Sequence, residues 1–209
     1  MLLDTTTARP KETVAHHNRL EEQGVRFIDA PLVGSSEEIG RGDGVALVGE
    51  RREDADYLPV LEAIAKRVFF LGGAGQGHRA KLVVNLVLGL NRLVFAEGLA
   101  LAEKCGMDGR RMLEILKGSS AYSTAMDVKG EKMLARDYTP VARLAQHAKD
   151  VDLILELASE AGARAPLSIV HAMLLAEGID AGLGTRDNAA IIEVLRQCNP
   201  SQDCSGTCH

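Results

Sequence analysis

Lys81 and Asn85 stand four residues apart in a stretch otherwise made of Leu, Val and Ala, so on a helix they share one face. A lysine desolvated by such neighbours loses preference for its charged form. Its pKa falls toward the range in which an amine both gives and takes protons. An asparagine one turn further on can hold a substrate hydroxyl or carboxylate. The same spacing also fits a lysine that snorkels to water at a helix start, with Asn85 filling a gap in the packing. Spacing alone leaves both open.

Other stretches carry polar groups in places where ligands bind. Asp29-Ala30-Pro31-Leu32-Val33-Gly34-Ser35-Ser36 ends an apolar run in small residues, either as a loop whose backbone N–H groups suit a carboxylate or as an ordinary strand-to-helix connection. Thr5-Thr6-Thr7 either presents hydroxyls to a ligand or caps the helix that follows Pro10. Lys149-Asp150 sits in a helical stretch with Leu153, Ile154 and Leu157, a pattern that a solvated charge pair also satisfies. Gly72-Gly73-Ala74-Gly75-Gln76-Gly77 fits neither the dinucleotide fingerprint nor the Walker spacing, and reads as a turn. Cys198, Cys204, Cys208 and His209 could be counted as four ligands, but with no CxxC pair they match no standard zinc site. No metal is expected, and residues 197–209 read as an unstructured tail.

The elements that must position these groups change character along the chain. Short apolar runs at 2–4, 25–32, 45–48 and 68–71 alternate with helical stretches at 11–23 and 53–65, the mark of strands buried between helices. From His78 to Lys104 only Gly89 and Gly98 weaken a helix of roughly 27 residues, about 40 Å long. Its apolar residues occupy nearly every side, which predicts burial all round, by its own domain and by a neighbouring domain or subunit. Beyond it everything reads helical: 108–117, 126–135, 144–161, 166–177 and 188–196. The expected fold is α/β followed by all-α, with domains at 1–73 and 74–196.

Composition excludes several classes. Asp plus Glu (29) outnumber Lys plus Arg (24), leaving no basic field for nucleic acid or anionic lipid. Aromatic residues at 3% and the absence of Trp argue against base-stacking platforms. Few cysteines fit a reducing, cytoplasmic location. The charge-free run Leu82 to Asn91 is about half of a bilayer span, so no membrane insertion is expected. Met1 opens directly onto what reads as a buried strand.

Taken in order, several of these stretches resemble the β-hydroxyacid dehydrogenases, the family of 3-hydroxyisobutyrate dehydrogenase and of tartronate semialdehyde and glyoxylate reductases. The residues that carry the resemblance are Asp4-Thr5-Thr6-Thr7-x-x-Pro10, Asp29-Ala30-Pro31 and Gly75-x-Gly77-x-x-x-Lys81-Leu82-x-x-Asn85. Further on come Ala96-Glu97-Gly98-Leu99-Ala100-Leu101-Ala102, Lys149-Asp150-x-x-Leu153 and Gly182-x-Gly184-x-x-Asp187. The resemblance implies the C-terminal part of a Rossmann-type domain, a long interdomain helix and a helical domain like that of 6-phosphogluconate dehydrogenase. It implies an NAD- or NADP-dependent oxidoreductase that interconverts a short hydroxyacid and its semialdehyde. By the same resemblance Lys81 is the catalytic acid–base, Asn85 orients the substrate, and Val33, Gly34 and Ser35 hold its carboxylate. Thr7 touches the nicotinamide end of the cofactor, Lys149 approaches the cofactor, and Asp150 steadies the site. A homodimer or homotetramer through the helical domain is expected.

Three departures from the family pattern stand out. Val33 replaces the usual serine of the carboxylate loop, with Ser35 as a possible substitute. Ala142 replaces an aromatic residue, which predicts a reshaped pocket. The glycine-rich strand and helix that family members carry before the Asp-Thr-Thr segment are not in these residues, so the expectation is a truncated member, inactive by itself. The alternative expectation is a non-catalytic assembly or regulatory module built on the helical domain.

Overall fold

The computed structural model describes residues 1–51 and 56–197. The Cys198, Cys204, Cys208, His209 cluster lies outside the described residues, as does the start of the helix expected over 53–65. The described residues form two compact units: Met1–Val87 with Lys149–Ser168, and Leu88–Ala148 with 169–197.

In the first unit β1 (Leu2–Asp4) pairs in parallel with β2 (Phe27–Asp29). The helix α1 (Pro10–Glu21) connects them, with Pro at its first turn, where a missing N–H costs nothing. The run expected as one strand over 25–32 is broken at Ala30-Pro31. Its continuation β3 (Leu32–Val33) pairs antiparallel with β4 (Gly44–Val48), which pairs in parallel with β5 (Ala65–Phe70). Backbone bonds from Leu47 N to Pro31 O and from Gly49 N to Asp29 O bridge the two sheets. Proline has no N–H for a ladder, which is the physical reason the run divides there.

Two short helices complete the layer, α2 (Ser36–Gly40), which the apolar pattern did not show, and α3 (Leu58–Glu62). The strand β5 begins at Ala65, where helix had been expected. The core of this layer is Ile28, Ala30, Ala46, Val48, Tyr57, Leu61 and Ala65, with Leu3, Leu32 and Val68 against it. The expectation of a buried first strand needs correcting. Met1 and Leu2 are exposed, because β1 has one partner and lies at the sheet edge.

The helix α4 (Gln76–Lys104) runs on into the second unit. By length and composition it could pass for a membrane span. One side of it is nevertheless core: Leu82, Leu93, Phe95, Ala96, Leu99, Ala100 and Ala102 are buried. The other side is not covered by this chain, which leaves it to the neighbouring subunit that the apolar pattern called for. Val83, Val87, Val94 and Leu101, spaced by four, seven and seven, remain exposed along a single stripe.

The second unit contains α5 (Gly109–Lys117), capped by Asp108, and α6 (Thr124–Ala135). It also holds the start of α7 (Leu144–Glu160), most of α8 (Pro166–Asp180), a 3₁₀ turn at Asn188–Ala190 and α9 (Ile191–Arg196). Gly130 lets α6 approach α5, since a Cβ there would lie 2.7 Å from Leu113. Arg196 grips Glu103 through two bonds of 2.7 and 2.5 Å.

Inside this unit the rings of His147 and His171 lie 5.0 Å apart against Gly89. Burial, with Arg92 nearby, holds His147 well below its ordinary pKa and His171 at about 4. In the unfolded chain both titrate near 6.5. Below that pH the unfolded state therefore binds more protons, and stability falls as the pH drops toward about 4. The loss is at most about 1.4 kcal/mol per pH unit for each ring. Urea unfolding at pH 7 and pH 5 checks this: His171→Leu is expected to flatten the pH dependence, and an unchanged slope refutes it.

Candidate active site

Thr7, Val33, Gly34, Ser35, Lys81, Asn85, Lys149 and Asp150 fall in the first unit. The geometry starts at the carboxyl end of β2. Asp29, buried in the core, accepts hydrogen bonds from Gly75 N at 2.9 Å and His78 N at 3.1 Å. Its carboxylate thereby satisfies two amide donors at the start of α4, where a negative charge is also favoured by the helix dipole. Only glycine fits around it. A Cβ on Gly49 would stand 2.1 Å from Asp29 Oδ1, and one on Gly77 would stand 2.3 Å from the Leu47 carbonyl. The glycines of residues 72–77 thus seat a helix on a sheet, and two of the amides at this turn are already spent on Asp29.

With its start fixed, α4 presents His78, Lys81 and Asn85 along one face. Lys81 Nζ donates to the Leu32 carbonyl at 2.7 Å, so the ammonium is drawn against the 29–35 loop rather than out to bulk water. Burial pushes its pKa below the ordinary lysine value, and the negative charge of Asp150 opposes that shift in part. Asn85 is buried and donates from Nδ2 to Asp150 Oδ2 at 3.1 Å.

Asp150 arrives on α7, whose Leu153, Ile154 and Leu157 pack on Leu82 and Leu86 of α4. Its face is set by the spacing 150, 153, 154, 157, one stripe of a helix. A second tie draws the start of α1 to α7: Arg9 forms a forked pair with Glu156 at 2.7 and 3.0 Å, and Lys11 pairs with Glu160 at 2.8 Å.

The structure therefore joins Lys81, Asn85 and Asp150, and places Lys81 on the backbone that leads into Val33. It does not treat the other candidates alike. Gly34 has φ +140°, a backbone region open to glycine and strained for other residues. Ser35 is the N-cap of α2. Its hydroxyl accepts from Glu38 N at 3.2 Å, and its own N–H is held by Glu38 Oε2 at 2.6 Å. The signal for this capping box in the sequence is Ser35-x-x-Glu38. The box means that a carboxylate of the protein already occupies one of the amides assigned to the substrate.

Thr7 is half-buried and Lys149 is exposed. Ala142 lies in the second unit, where its amide donates to Asp187. Among residues the sequence reading missed, Asp29 was visible as part of a motif but without a role. His78 carried only its position one turn before Lys81.

A nicotinamide cofactor calls for polar donors beyond the carboxyl ends of the parallel strands. The Thr5–Thr7 segment follows the carboxyl end of a parallel strand and precedes a twelve-residue helix, the place where α/β folds bind ligands. Thr6 spends its N–H and hydroxyl on Asp4, at 3.0 and 2.7 Å. Thr5, which is exposed, and Thr7 flank it. Hydroxyl and amide groups of this kind have the chemistry that a nicotinamide carboxamide bonds.

Comparison with known proteins covers residues 1–73 and 75–195. Residues 75–195 match the family profile described as the NAD-binding domain of NADP-dependent 3-hydroxyisobutyrate dehydrogenase. Residues 1–73 match that of the NAD-binding domain of 6-phosphogluconate dehydrogenase. The chain belongs to the β-hydroxyacid dehydrogenase family.

This family is one of NAD- or NADP-dependent oxidoreductases. Among its members, the 2-(hydroxymethyl)glutarate dehydrogenase of Eubacterium barkeri is 31% identical over 199 residues, covering 94% of this chain and 66% of that enzyme. The 2-hydroxy-3-oxopropionate reductase of Escherichia coli is 28% identical over 93% of this chain and 67% of its own length. Among solved structures, 3-hydroxyisobutyrate dehydrogenase from Salmonella typhimurium superposes with a TM-score of 0.86 at 22% identity, over 92% of this chain and 68% of that one. The Mycobacterium tuberculosis enzyme of the same name, solved with L-serine, gives 0.82 at 27% identity, over 94% and 70%. This dehydrogenase-family chain spans about two thirds of the length of the relatives it matches.

Proposed function

We propose that the chain carries the substrate end and the nicotinamide end of an active site that interconverts a short β-hydroxyacid and its semialdehyde. The observation that carries this reading is Lys81: a lysine with its pKa lowered by burial, bonded to the Leu32 carbonyl, with the Asn85–Asp150 pair on the next turn. The nicotinamide cofactor, when bound, would give a hydride as NADH or NADPH in reduction and take one in its oxidised form in oxidation. In reduction Lys81 gives a proton from Nζ to the carbonyl oxygen of the substrate, and in oxidation its neutral amine takes the hydroxyl proton. Asn85 orients the substrate, and Asp150 fixes the Asn85 amide while biasing Lys81 toward its charged form. Gly34 and Val33 lie on the loop assigned to the substrate carboxylate. Thr7 and Lys149 are assigned to the cofactor.

The pyrophosphate of the cofactor is assigned to residues other than these 209, on a glycine-rich half of the kind the family carries. The test is reduction of glyoxylate and succinic semialdehyde, with NADH and with NADPH, by the 209-residue chain and by the chain joined to such a half. Oxidation of the reduced cofactor by the joined protein supports the reading. Its absence with every pairing refutes it.

The second reading, a non-catalytic assembly module, draws on the exposed stripe Val83, Val87, Val94 and Leu101. A 29-residue helix with such a stripe suits a partner helix, and a homodimer or homotetramer is the proposed assembly. Light scattering that finds a monomer removes that proposal. A cytoplasmic location is proposed from the composition alone.

A further inference from the structure

Resting on the dehydrogenase reading above, we propose that His78 is a positioning residue that ties the loop carrying Thr7 to the helix face carrying Lys81. His78 is fully buried. Its Nε2 lies 3.1 Å from the Thr6 carbonyl, and its Nδ1 lies 2.9 Å from Thr13 Oγ1 on α1. A carbonyl only accepts, so Nε2 carries the hydrogen; the single Thr13 hydroxyl hydrogen then has two acceptors in reach, Nδ1 of the neutral ring and the Arg9 carbonyl at 3.1 Å.

Thr6 is then held at every polar group: its N–H and hydroxyl by Asp4, its carbonyl by His78. A residue pinned at three points cannot move without the two that flank it. The loop therefore presents Thr5 and Thr7 from a fixed frame. His78 is also the residue whose own N–H is held by Asp29, so one residue receives both anchors, from the sheet below and from the loop above. Lys81 follows it one turn later on the same face. The distance between the cofactor-facing hydroxyl and the acid–base amine is therefore set through His78. The carboxylates that face the ring are Asp29 Oδ2, 3.6 Å from Nδ1, and Asp4 Oδ2, 3.9 Å from Nε2.

Two variants test this in the 209-residue chain, with nuclear magnetic resonance as a readout that needs no turnover. His78→Phe keeps a ring of similar size but removes both polar contacts, and His78→Gln keeps a donor. The wild-type imidazole is expected as the Nε2–H tautomer. In His78→Phe, amide exchange at Thr6 and Thr7 is expected to accelerate at least tenfold and the Lys81 ammonium titration to move, while exchange in β4 stays within threefold. His78→Gln is expected to recover most of both effects. In the joined protein, His78→Phe lowers kcat at least 30-fold and leaves KM for the semialdehyde within threefold.

An Nδ1–H tautomer overturns the proposal. So does unchanged exchange at Thr6 and Thr7, or an equal acceleration at all sites, which marks a merely structural role. If wild type shows no semialdehyde reduction, the functional reading fails, and the exchange measurements still decide whether His78 holds the loop.

Discussion

Lys81→Ala is expected to lower kcat/KM for semialdehyde reduction by about 10²–10⁴-fold, the usual contribution of a positioned acid or base. The variant removes the one amine in the site that is both half-buried and fixed, by its bond to the Leu32 carbonyl. Asn85 and Asp150 remain bonded to one another, so the pair proposed to orient the substrate is kept and the loss is expected on kcat. The sign of the pH dependence follows from the same geometry. Reduction needs the ammonium and fails as the pH rises through the Lys81 pKa; oxidation needs the amine and grows over the same interval. Burial places that interval below the ordinary lysine range. Because Asp150 raises the Lys81 pKa, Asp150→Asn is expected to move both inflections to lower pH. Normal turnover by Lys81→Ala, or an inflection that moves upward in Asp150→Asn, would falsify the assignment.

Asp187→Ala is expected to cost about 3–5 kcal/mol of stability, the usual effect of removing one partner from a buried ion pair. Asp187 is fully buried and pairs with Lys129, itself almost fully buried, at 2.7 Å. Its second oxygen accepts from Val141 N at 2.9 Å and Ala142 N at 3.2 Å, and its first also accepts from Ala189 N at 3.0 Å. Burial works against its ionisation, but the Lys129 ammonium and these amides more than offset it and hold the carboxyl below its ordinary range. Alanine leaves a charged lysine and three amides without their acceptor. Chemical denaturation measures the loss. A double variant, Asp187→Ala with Lys129→Met, is expected to recover part of it, since the stranded charge is then gone. A cost below about 1 kcal/mol, at the level of an exposed pair, counts against this account.

These two sites show different degrees of legibility. The Gly182-x-Gly184-x-x-Asp187 pattern was visible in the sequence without a function. The structure gives it one: Leu144 N bonds to Arg186 O and Ala145 N to Gly184 O, so this turn anchors the beginning of α7 while Asp187 gathers the 138–142 segment. Nothing in the spacing tells that Lys129, 58 positions earlier, completes the pair. Long-range partners of this kind are not encoded in local periodicity.

The sequence by itself determined the order of elements, the change from α/β to helical architecture near residue 73, and the pairing of Lys81 with Asn85 on one helix face. These follow from local physics: the two side-chain periodicities, the caps and turns, and the hydration cost of a lysine among aliphatic residues. Only the tertiary structure decided what those groups face. The Leu32 carbonyl reaches Lys81 because the strand divides at Pro31. Asp150 reaches Asn85 because the apolar stripe of α7 packs on Leu82 and Leu86. Asp29 became the anchor of α4 because two glycines, Gly49 and Gly77, leave room for its carboxylate at that one place. The same packing exposed Leu2, since a strand with one neighbour cannot be covered on its open edge, and it turned the Ser35 amide toward Glu38 rather than toward a ligand.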